Sequence, residues 1–206
     1  MTISVSYDSG LGSLSVSDYL SAWAVGFNTA GHGASNTGGF SNGTLSGDQY
    51  STHGASGSEY AFIADSDTSN GLHYVFNPSL PAGNNLNHYL WGDLDNVQLG
   101  TGLGGGSGSD FTLNDFKVAF NGLDLSAAEG AGRAGNDVQS VIFGLMQGNT
   151  TALETVLNNV LDDFGLSTAS TFDEVSAGLA AHASAATADV ALVGVQDVAQ
   201  DWALAA

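Results

Sequence analysis

The chain has 206 residues, enough for one domain with a sizeable core, and 43% of them are apolar. Two basic residues face 21 acidic ones, for a formal net charge of −19; the chain lacks the cations that neutralise nucleic-acid phosphates or seat a protein on an anionic membrane, and such a charge favours a soluble monomer. The absence of cysteine excludes disulfides, thiolate catalysis, cysteine-ligated zinc and iron–sulfur clusters.

Met1–Val5 carries neither the basic nor the apolar region of a Sec signal peptide, and no apolar run reaches transmembrane length. Export would therefore need another route. Residues 2–7 alternate apolar and polar, as a short strand does. A helix follows, with Ser17 as the expected N-cap, Tyr19, Leu20, Trp23 and Phe27 at helical spacing, and an end near Phe27 or Asn28.

Residues 28–48 are nearly free of large apolar groups and read as a long irregular loop, a feature that inside compact domains is usually functional or disordered. His32 lies in it between two glycines. A loop histidine is most often merely solvated, yet neutral imidazole is a standard axial ligand for haem iron.

From about 58 to 125 the pattern is β: Glu59–Ala64, Leu72–Phe76, Tyr89–Leu94, Val97–Leu99, Phe111–Leu113 and Lys117–Leu125, separated by Gly, Asn and Asp turns. This suits an antiparallel meander with one solvated face. His73 and Tyr74 are adjacent on one such run and must point to opposite faces. Tyrosine in a strand is usually packing material. A phenol can also ligate ferric iron once it loses its proton, and a free phenol has a pKa of about 10. An imidazole acceptor would assist, and His88, across the 77–87 loop, is the natural candidate. Gly105–Thr112 approximates a single calcium-binding nonapeptide; one copy cannot stack into a β-roll, so it reads as a flexible hairpin loop.

From 138 onward the pattern is helical. Val138–Met146 forms a short helix. Thr151 and Glu154 form a capping-box candidate for a second that ends at Gly165, and Thr171 with Glu174 opens a third in the same way. The Ala-rich tail after about 183 reads as loosely ordered. Strands first and helices later give an α+β fold: one curved antiparallel sheet with helices packed on one face, residues 1–183 forming the domain and 184–206 a flexible tail.

No nucleophile–base or zincin motif stands out, so an enzyme is not expected. Arg133 could reach a ligand carboxylate; a solvent-facing loop arginine is as good a reading.

The segments Asn36–Phe40, Leu45–Tyr50, Leu72-His73-Tyr74, His88–Gly92, Gly144-Leu145-Met146 and Ser170–Asp173 together resemble, in order, those of the HasA-type haemophores, small secreted bacterial haem-binding proteins. The resemblance spans essentially the whole chain. It implies that ferric haem b is held between two loops by His32 and Tyr74 as axial ligands, with His88 hydrogen-bonded to Tyr74. It further implies haem taken from host haemoproteins, delivery to an outer-membrane receptor, and export through an ABC-type (type I) exporter by a C-terminal signal near Asp201–Ala206. Three departures accompany it: a longer loop between Tyr74 and His88, a shorter segment between His32 and Asn36, and Gln139 where the family pattern often has histidine. The rival reading is a haem-free, β-rich secreted adhesive or structural protein that binds calcium through its many Asp residues.

Overall fold

The computed structural model describes residues 3–27, 38–106 and 108–193. Its element order is β1 Ser4–Tyr7, α1 Val16–Phe27, β2 Gly39–Phe40, β3 Ser46–Gly47, β4 Gln49–His53, β5 Tyr60–Asp65, β6 Leu72–Val75, β7 Tyr89–Gly105, β8 Phe111–Ala127, α2 Asp137–Met146, α3 Thr151–Asp162 and α4 Phe172–Val193. The strands make one antiparallel sheet with the path β1-β8-β7-β5-β4-β2, and β3 and β6 branch from β7. This is the expected α+β architecture.

The sheet is organised by β7. Its first residues, Tyr89–Gly92, pair with β6, and its later residues, Asn96–Thr101, pair with β5. The change of partner falls at a bulge between Leu94 and Asn96 in its pairing with β8. A bulge, not a turn, therefore joins the runs read as Tyr89–Leu94 and Val97–Leu99. A second register shift, at Leu99/Gly100, similarly merges Phe111–Leu113 with Lys117–Leu125 into β8. The glycines after Leu99 read as turn residues but belong to β7, because β8 passes so close that a Cβ on Gly100 would lie 2.4 Å from the Asp115 carbonyl oxygen.

All four helices feed one core: Leu20, Trp23 and Phe27 of α1, Val138 and Ile142 of α2, Leu153 and Leu157 of α3, and Phe172 of α4 pack with Phe62, Leu94, Leu99 and Val118 of the sheet. Strand β1, at the sheet edge, pairs with β8 and carries α4 against it.

Capping differs from expectation in two places. Ser15, not Ser17, caps α1: its Oγ accepts from Asp18 N at 3.1 Å. At α3 the side-chain bond runs from Thr150 Oγ1 to Glu154 Oε1 at 2.8 Å, and Thr151 is already helical. The reciprocal box at α4 forms as expected: Thr171 N donates to Glu174 Oε2 at 2.8 Å and Glu174 N to Thr171 Oγ1 at 3.2 Å. Gly165, at φ +67°, follows α3. Helix α4 continues past residue 183 to Val193.

Candidate functional site

Strand β6 sets the site. Period-two alternation sends His73 and Tyr74 to opposite sides of the sheet. His73 stacks on Trp91, its cross-strand partner, with ring centroids 4.0 Å apart and planes at 10°, and its Nε2 donates to the Asn70 carbonyl at 2.7 Å. Tyr74 turns inward and packs against the core cluster.

The chain leaves β6 into the 76–88 loop and returns with His88. Its Nδ1 lies 2.5 Å from Tyr74 Oη. A phenol O–H donates here, so Nδ1 is the acceptor and the proton of the neutral ring is on Nε2. The loop brings His88 within hydrogen-bond reach of Tyr74. His88 adopts φ +55°, a left-handed conformation that costs a non-glycine residue about 1–2 kcal/mol. Phe76 flanks the same ring at a centroid distance of 4.9 Å.

Strain at one residue persists when its neighbours are over-determined. Asn87, before it, is 1% exposed and spends its side chain inside the loop. After it, Tyr89 Oη accepts from Gly130 N at 2.9 Å. Leu90 N donates to Gln139 Oε1 at 2.7 Å, and Leu90 O accepts from Asn136 Nδ2 at 2.8 Å. Gln139 thus anchors the backbone just past His88 by hydrogen bonding.

Tyr74 and His88 open onto a cavity of about 450 Å³, within the range of small-molecule sites. Its wall is mainly apolar: Phe40, Leu45, Leu90, Phe143 and Met146. Leu45 and Phe143 are 50% and 40% exposed, so the mouth is apolar too. Tyr50, deeper in the wall, donates from Oη to Met146 Sδ at 3.2 Å, and burial pushes its phenol well above the usual range. Arg133 lines the cavity and donates from Nη2 to Asn84 O at 2.8 Å. Lys117 is engaged elsewhere, 3.0 Å from Asp115 and 3.7 Å from Asp8. Arg133 is therefore the cation of this cavity.

Burial raises the Tyr74 phenol above its ordinary value of 10.0. Alone, that keeps the proton on. A cation placed against Oη acts the other way, and the imidazole beside it is placed to take up the proton that leaves. The arrangement is thus a neutral phenol with a base beside it, chemistry suited to holding a hard cation.

His32 falls outside the described residues. Tyr74, His88, Arg133 and Gln139 are brought to one cavity, and His73 is turned away from it. Sequence reasoning gave no role to Tyr50, Phe143, Met146 or Asn87. The first and third lie in segments that carried the family resemblance, which was the available signal. Among the described residues no group of three or more His, Asp or Glu is arranged to hold a metal ion, so the calcium reading finds no site in them.

The sequence matches the family model for heme-binding protein A (HasA) over residues 1–206. It is 42% identical over 185 residues to the hemophore HasA of Serratia marcescens, covering 87% of this chain and 93% of that protein. The apo structure of the hemophore HasA from Yersinia pestis superposes with a TM-score of 0.67 at 25% identity, covering 84% of this chain and 94% of that one. The holo structure of the Y. pestis protein gives the same TM-score and identity, covering 85% and 96%. With its full-length family match and its α+β sheet in common with those structures, the chain belongs to the HasA family.

Proposed function

We propose that this protein is an extracellular haem carrier that captures ferric haem and hands it to an outer-membrane receptor for iron acquisition. The observation that carries the reading is the Tyr74–His88 pair at the mouth of an apolar cavity. Tyr74 supplies an anionic oxygen to ferric iron, and His88 supports its deprotonation. His32 is the second axial ligand, from a separate loop, and Arg133 pairs with a haem carboxylate. The apolar wall takes the macrocycle.

Two protein ligands close both axial positions, which favours carriage over oxygen or peroxide chemistry. Two ligands from separate loops also suit transfer: a receptor that withdraws one loop breaks one iron bond and lowers affinity without unfolding the domain. The source is host haemoproteins. The protein acts as a monomer and leaves the cell through an ABC-type exporter that reads the residues near Asp201–Ala206. Removing Ala203–Ala206 is then expected to abolish secretion and leave haem binding intact. Among the described residues no helix is long and apolar enough to cross a membrane.

The decisive experiment is titration of the purified protein with ferric haem, followed by absorbance. A saturable Soret band with stoichiometry near one is expected. No Soret change, with calcium-dependent folding instead, would return the rival reading.

A further inference from the structure

We infer that Asn87 is a positioning residue for haem binding: its side chain folds the long 77–87 loop so that His88 meets the Tyr74 phenol. The inference rests on the haem reading above and adds a residue to it. The problem it answers is physical. Fourteen positions separate Tyr74 from His88, and a loop of that length has many ways to close that leave the imidazole elsewhere. Here it closes in one way.

Asn87 accounts for that. Its Oδ1 accepts from Asn77 N at 2.8 Å, where the loop begins. Its Nδ2 donates to Leu80 O at 3.0 Å and Pro81 O at 3.4 Å, at the far bend. Its own backbone N–H donates to Asn84 O at 3.1 Å. One buried amide thereby ties the start, the bend and the end of the loop together. Buried amides of this kind are expensive to leave unpaired, so they select one conformation.

An outer clasp fixes the folded loop to the body. Asn85 Oδ1 accepts from Arg133 N at 3.0 Å and Ala134 N at 2.8 Å, and the Asn85 carbonyl accepts from Arg133 N at 3.1 Å. Asn87 on one side and the Tyr89 and Leu90 contacts on the other pin the backbone that flanks His88, which sits at φ +55°. Its ring then points at Tyr74 Oη. Without the Asn87 side chain, Asn77 N and Leu80 O lose this partner, and Pro81 O keeps only Asn84 N, at 2.9 Å. The loop loosens, and the imidazole is free to turn away from the phenol.

The test uses the full chain as parent, Asn87→Ala, His88→Ala and the double variant. In the apo-protein, the ¹⁵N shift of the His88 Nδ1 reports its acceptor role without haem. Asn87→Ala is expected to move it toward that of a free imidazole. With ferric haem, Asn87→Ala is expected to weaken binding about tenfold, the lower end for a residue that orients a ligand. It is also expected to shift the phenolate-to-iron charge-transfer band as His88→Ala does. Because Asn87 acts through His88, it is expected to change nothing further in the His88→Ala background.

Losses that add in the double variant would overturn the inference, as would an unmoved Nδ1 shift in Asn87→Ala. If Asn87→Ala does not fold, Asn85→Ala, at an exposed position on the outer clasp, is expected to give the same shifts at smaller amplitude, again lost without His88. No effect there overturns it equally. A parent that fails to bind haem defeats the functional reading; a parent that binds haem, with His88→Ala impaired and Asn87→Ala not, defeats this inference alone.

Discussion

Two histidines flank the same tyrosine, and they show how differently a residue can be placed by sequence and by fold. His73 is covalently next to Tyr74 and lies on the other side of the sheet, stacked on Trp91. His88 is 14 positions away and within hydrogen-bond distance of the phenol. Strand alternation alone separates the first pair, whereas a folded loop and a strained backbone are needed to make the second. The neighbour that costs nothing to place is the one kept out of the site.

The sharpest way to break the comparison is to remove the group between the two. Loss of a residue that orients a ligand weakens metal binding by roughly 10–100-fold, and Tyr74→Phe, which removes the proposed ligand oxygen, is expected to exceed that range. It is also expected to exceed the loss in His32→Ala, because phenolate neutralises iron charge and imidazole does not. Haem titrations of both variants decide it, and equal binding by Tyr74→Phe and the parent would refute the ligand assignment. Next comes His88→Ala, with a loss expected inside the same ~10–100-fold range. The iron–phenolate charge-transfer band is expected to shift with it, since the phenol loses its acceptor.

An alkaline titration of the apo-protein isolates Tyr74. Its folded pKa is raised by burial, so the native state holds this proton more tightly than the unfolded chain. The resulting stabilisation is present below the ordinary phenol value of 10.0 and is lost as pH rises through the raised folded value. Tyr74→Phe is therefore expected to lose less stability than the parent on going to high pH, by chemical denaturation at matched pH values. An identical alkaline decline would mean that other tyrosines account for it.

The smallest effect belongs to the other histidine. His73→Ala removes the stack on Trp91, worth about 0.5 kcal/mol at a partly exposed site, and is expected to leave haem affinity at the parental value. A haem affinity that fell as in His88→Ala would erase the distinction between the two faces.

Much of this was legible beforehand, for reasons particular residues make plain. The helices announced themselves through apolar spacing, and Thr171 with Glu174 marked its own cap because two short-range bonds satisfy each other locally. Tyr74 and His88 were legible through the family segments that bear them. Strand β4 was not: Gln49-Tyr50-Ser51-Thr52-His53 is mostly polar, yet Ser51 and Thr52 are each 2% exposed, and Ser51 Oγ satisfies itself on Phe62 O at 2.5 Å. Hydrophobic alternation cannot report a strand that buries polar groups in pairs. The continuity of β7 was hidden likewise, because a bulge and a run of glycines look from sequence like turns. Asn87 was invisible for a third reason: its partners lie in its own loop, and no periodicity describes them.

Asn136 has a consequence for how this molecule breathes. Its Oδ1 holds Gln139 N in the first turn of α2, and its Nδ2 holds both Leu90 O and Gly132 O. Gln139 in turn holds Leu90 N. The first turn of that helix and the strand beside His88 are therefore knotted through two side-chain amides, those of Asn136 and Gln139. Their backbone amides are expected to exchange with solvent deuterium in concert, in one cooperative opening rather than by fraying from either end. A carrier built this way ties the backbone next to His88 into the first turn of α2, so that this wall of the cavity opens only when the helix start opens with it.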